Sequence, residues 1–137
     1  MRRHGEGVNE FGEAMAKFLD NRVGTFGITT EGHFRCGNKV YEDARIVSWT
    51  HTDPLGTFHH RQAVVPCGEH TVSVAWGTHN YCENKGREGD TFDETPMSAE
   101  VAMLDEKGDF TPFDNGEDVK GHQSVGEVNA LLASLRS

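Results

Sequence analysis

The spacing of apolar residues along this chain changes twice, from helical to extended and back to helical. Phe11, Met15, Phe18 and Leu19 recur at helical intervals. Asn9 precedes them as a good N-cap, and Glu10 and Glu13 suit the positive end of a helix dipole. The pattern predicts a helix near residues 10–22, with Gly24 as its stop. From Thr25 onward the period becomes two. Thr25–Thr30 and His33–Cys36 read as a hairpin across Glu31-Gly32. Arg45–His51 and Phe58–Val65 read as a second pair of strands around the turn Asp53-Pro54-Leu55-Gly56. His70–Trp76 alternates most clearly of all, and Glu100–Leu104 is followed by a short partner at Phe110 and Phe113.

The helical period returns at the end. Ser124 and Glu127 match a capping box, in which each side chain satisfies the other's free backbone amide, and Val128, Leu131, Leu132 and Leu135 follow on one face. Strands run consecutively and do not alternate with helices. The expected fold is therefore α+β: a mostly antiparallel sheet of about six strands, with an N-terminal and a C-terminal helix packed on one face. Val47, Trp49, Val72, Val74, Trp76, Val101, Met103, Leu131 and Leu135 are the expected core. Residues 1–8 read as a flexible tail and 9–137 as one domain, a common size for a chain of 137 residues.

Composition narrows the function classes. A formal charge of -9 argues against binding duplex DNA, which needs clustered Lys and Arg to displace phosphate counterions. The polar N-terminus lacks the apolar core of a signal peptide, and no run reaches the ~20 apolar residues of a membrane span. The expectation is a soluble, cytoplasmic protein without membrane contact. Three cysteines, Cys36, Cys67 and Cys82, are an odd number and fit reduced thiols better than a disulfide framework. Phosphate-binding glycine loops, dinucleotide fingerprints and the nucleophile elbow are all missing from the sequence. The compact, motif-poor layout is similar to that of many small accessory proteins of phages and mobile elements, a likeness of general character that no motif carries.

Four features carry candidate chemistry. The pairs Cys67/His70 and His79/Cys82, each separated by two residues, have the ligand types of a structural zinc site. The strand between them places the pairs more than ~20 Å apart unless it folds back. His51, His59 and His60, with Asp53, form a looser group at a hairpin tip, where only one of the adjacent pair His59 and His60 can share a face with His51. Acidic residues between Glu83 and Glu94 admit mimicry of DNA phosphates, or simply a solvated surface. The fourth feature is the segment 77–96, which has no period and is long for a loop inside a compact domain. Tyr81, Arg87 and Phe92 stand there as anchors for a partner.

The leading functional expectation is a small acidic non-catalytic binding or accessory protein. It recognises a protein or small molecule through the 77–96 loop and the adjoining sheet surface, needs no cofactor, and has a homo-oligomer as one option. A zinc protein built on Cys67, His70, His79 and Cys82 is the alternative. An enzyme with a histidine acid or base on the sheet is the third.

Overall fold

A computed structural model of the chain describes residues 24–113 and 116–137. These residues form nine strands and one α-helix. Strands β1 (Phe26–Ile28), β2 (Phe34–Cys36) and β3 (Lys39–Tyr41) make a three-stranded antiparallel meander. A larger sheet contains β4 (Arg45–Asp53), β5 (Gly56–Cys67), β6 (His70–Ala75), β7 (Ser98–Leu104) and β8 (Phe110–Thr111) in sequential order. Strand β9 (Val119–Ser124) also pairs with β7. Every pairing is antiparallel. Helix α1 (Val125–Arg136) ends the chain, and its capping box is complete: Glu127 N donates to Ser124 Oγ, and Ser124 N donates to Glu127 Oε1 at 2.9 Å.

This architecture corrects the two-helix expectation. Among the described residues there is one α-helix, at the C-terminal end, and the strands divide into two sheets. The helix expected near residues 10–22 lies outside the described residues. The physical reason for the second sheet is local. Gly37, at φ 66°, lets the chain reverse immediately after β2, so Lys39–Tyr41 adds a third short strand instead of continuing into the large sheet.

The core lies where the small sheet, the large sheet and α1 meet. Phe34 is central, with ring centroids 6.5 Å from Phe26, 5.9 Å from Trp76 and 5.5 Å from Tyr41. Val65, Val72, Val74 and Val101 supply the large sheet's contribution, and Val128 and Leu132 supply the helix's. Polar bonds fix the helix against the small sheet. Tyr41 Oη donates to Asn129 Oδ1 at 2.7 Å, and Asn129 Nδ2 donates to Cys36 O at 3.1 Å.

The expected core residues divide by face. Val72, Val74, Trp76 and Val101 are buried, and Met103, Leu131 and Leu135 pack partly buried against them. Trp49 is 47% exposed. Ile46 lies opposite Ala63, which lies opposite Val74, so the even-numbered residues of β4 face the core. Trp49 and Val47 therefore fall on the other face, because side chains alternate along a strand.

Candidate functional site

Residues 77–96 lack a periodic pattern yet are built firmly onto the sheet. Asn84 is fully buried and donates from Nδ2 to Trp76 O and Asp93 O, both at 2.8 Å. Its Oδ1 accepts from Asp93 N at 2.8 Å, so one side chain ties the loop's entrance to its exit. Thr78 adds a second tie by donating to Arg87 O at 2.9 Å. Gly77 passes so close to β5 that a Cβ there would lie 2.6 Å from His59 O. Only glycine allows that approach.

Glu100 of β7 clamps the segment that carries Tyr81. Its two carboxylate oxygens accept from Asn80 Nδ2 and from Tyr81 N, each at 2.9 Å. On the other side, Tyr81 O accepts from His122 N at 2.8 Å. The Tyr81 ring is nevertheless 57% exposed, and Lys85 Nζ stands 4.4 Å from its centroid. A rigid main chain with an open aromatic ring is the arrangement expected of a recognition anchor, since little main-chain entropy remains to be lost on contact and a tyrosine has few side-chain torsions to fix.

Beside this ring lies an open cleft of about 480 Å³, lined by Tyr81, Glu117, Lys120, His122, Gln123 and Glu127 among others. Its floor depends on two backbone features of β9. Gly121 passes where a Cβ would meet Tyr81 Cβ at 2.7 Å, and His122 adopts φ 51°. A left-handed backbone is uncommon for a residue other than glycine, and here it accompanies the shift in register between Ala99 and Val101. Glu127, at the cleft margin, is committed to the helix cap. The Ser124 amide and hydroxyl hold its carboxyl below the usual carboxylate range.

The loop residues expected as anchors do not converge. Tyr81 is attached to the β7–β9 side of β6. Phe92 is half-buried on the β5 side, with its ring 4.5 Å from His59 and 5.4 Å from the Arg61 guanidinium. Arg61 in turn makes a two-pronged ion pair with Glu94, 2.9 Å at each prong. Arg87 is exposed, and its main chain accepts from Thr78 and donates to Asn84 O. The sequence carries no signal for the cleft residues of β9, because Val119–Ser124 has neither strong strand propensity nor clean alternation.

The Cys/His pairs stand at opposite ends of β6. Cys67 and His70 are register partners across the β5–β6 turn. His79, beyond the far end of β6, stacks on Phe58 with centroids 5.0 Å apart. Cys82 is buried, and its thiol points to Gly77 O at 3.7 Å. At the hairpin tip, His51 pairs with Asp53 at 3.2 Å, His60 stacks on Trp49, and His59 turns to the opposite face. Among the described residues no group of three or more His, Cys, Asp or Glu is placed to hold a metal ion. Burial raises the pKa of all three thiols, that of Cys36 to about 12, which favours the protonated form over the thiolate a metal or electrophile requires.

Comparison with protein-family models, with curated proteins and with solved structures finds no match to this chain. Among the described residues, no helix is long and apolar enough to cross a membrane.

Proposed function

We propose that this chain is a small non-catalytic binding protein whose recognition site is Tyr81 together with the adjoining cleft on β9. The observation that carries this reading is the contrast within one residue. Tyr81 is held at its amide by Glu100 and at its carbonyl by His122, while its ring stays open beside the cleft. The fitting ligand is a small molecule or peptide segment with a planar or apolar group for the tyrosine face and polar groups for Lys120, His122 and Gln123. The cysteines are buried thiols and Glu127 is a cap, so neither supplies a reactive group to the cleft, which favours binding over catalysis.

Deleting residues 77–96 would remove buried Asn84 and Cys82, so point substitutions make the better test. Amide spectra of the labelled protein, titrated with a library of small aromatic and heteroaromatic fragments, should show shifts concentrated at Tyr81, Lys120 and His122. Tyr81→Ala should abolish those shifts and leave the remaining spectrum intact. Fragments that bind only elsewhere, or bind Tyr81→Ala equally well, would remove the cleft from consideration.

A further inference from the structure

Strand β4 is an edge strand. It pairs with β5 on one side, and among the described residues nothing pairs with it on the other. The direction of its main-chain groups follows from β5. Thr78 N donates to His59 O at 2.8 Å, and Trp76 N donates to Arg61 O at 2.9 Å, so His59 and Arg61 face the β6 side. His60 and Gln62 must then face β4, and Trp49 and Val47, their register partners, face β5. Ile46, Ser48, Thr50 and Thr52 are left directing N–H and C=O groups out of the sheet. Nine residues of open edge without proline or lysine form an unusually permissive template for another strand.

The side chains say which strand fits. We propose that two copies of this chain pair antiparallel through β4, about a two-fold axis at Trp49, to make one continuous sheet across a homodimer. In that register Arg45 lies opposite Asp53 of the second copy at both ends of the strand, Val47 lies opposite His51, and Trp49 meets Trp49. All these residues share the outer face of β4, where Trp49 is exposed. The main-chain parity agrees. Ser48 is placed opposite Thr50 and Ile46 opposite Thr52, and all four are edge-directed residues that can exchange hydrogen bonds in pairs. Shifting the register by two residues keeps the parity but separates Arg45 from Asp53. A two-fold axis requires a self-complementary patch, and this strand carries one in its opposite charged ends. The net charge of -9 opposes association of two copies in general, so the pairing depends on this local match.

Sedimentation of the purified full chain across the micromolar range should give a dimer mass. Ser48→Pro removes an edge-directed N–H that β5 does not use, so the fold should survive, with an unchanged circular dichroism spectrum, and the dimer should be lost. Register is read by cross-linking. Trp49→Cys places two cysteines in a non-hydrogen-bonded pair, about 4.5 Å apart at Cα, within disulfide range. It should form a disulfide-linked dimer under mild oxidation. Val47→Cys, offset by about 13 Å from its own copy, should not. The three native cysteines are buried and leave the assay clean. A wild-type monomer at every concentration would overturn the proposal. So would a dimer unaffected by Ser48→Pro, or Val47→Cys linking as readily as Trp49→Cys.

Discussion

Asn84 and Asp93 exchange hydrogen bonds nine positions apart. The Asn84 carboxamide donates to the Asp93 carbonyl and accepts from the Asp93 amide, both at 2.8 Å, while its second donated bond reaches Trp76 O. The amide side chain thus stands in for a missing strand partner and makes an aperiodic segment part of the scaffold.

Asn84→Ala should therefore be costly. Two carbonyls and one amide lose their partner, Trp76 O in a buried bond and the two Asp93 groups in part-buried ones, and each buried group left unsatisfied costs about 1–3 kcal/mol. Chemical denaturation should show a loss of about 2 kcal/mol or more. Asn84→Asp, of the same shape but without the donor, should recover little of it. A variant as stable as the wild type would mean that the loop does not depend on this residue.

Alkaline stability should follow Cys36 and Tyr41. Burial raises Cys36 from its ordinary 9.0 to about 12, and raises Tyr41 from 10.0 to about 12. For a group whose folded pKa is raised, the stabilisation is complete below the unfolded value and disappears as pH rises through the folded one. Stability should therefore decline between pH 9 and pH 12, and Cys36→Ala should decline less steeply over that window. Equal slopes for the two proteins would show that the thiol is not the cause.

The capping box should be measurable from both of its members. Ser124→Ala should cost about 1 kcal/mol, the usual value of a lost N-cap. The Glu127 carboxyl has a lowered pKa, chiefly because it accepts from the Ser124 amide. Its contribution is present above the ordinary value of 4.5 and is lost as pH falls through the lower folded value. Wild type and Glu127→Gln should accordingly differ in stability at neutral pH and converge in acid. A gap that persists in acid would assign the effect to packing.

How much of this was legible in the sequence depends on the residue. Ser124 and Glu127 were readable because a capping box is local and its parts are three residues apart. Strand β6 was readable because Val72, Val74 and Trp76 alternate cleanly. Trp49 was not: its strand alternates, but which phase faces inward is fixed by Ala63 and Val74 on neighbouring strands. The β1–β2 hairpin was readable from its turn at Glu31-Gly32, but β3 spans three residues, too few for a period to establish itself. The 77–96 segment was visible as an anomaly, but its order rests on a buried asparagine, a residue type that ordinarily marks exposed turns. The cleft depends on Gly121 and His122, whose roles arise only from the approach of Tyr81.

The anchoring of α1 has a consequence for how the protein is made. Asn129 reaches back 93 positions to Cys36, and Tyr41 reaches forward 88 positions to Asn129. On the ribosome, β2 and β3 emerge long before their helical partner exists. Phe34 and Tyr41 must wait for α1 before that side of the core can close. Such distant closure makes for slow folding and leaves apolar surface open meanwhile. Closure of this side of the core is thus gated by α1, the last of the described elements to be synthesised.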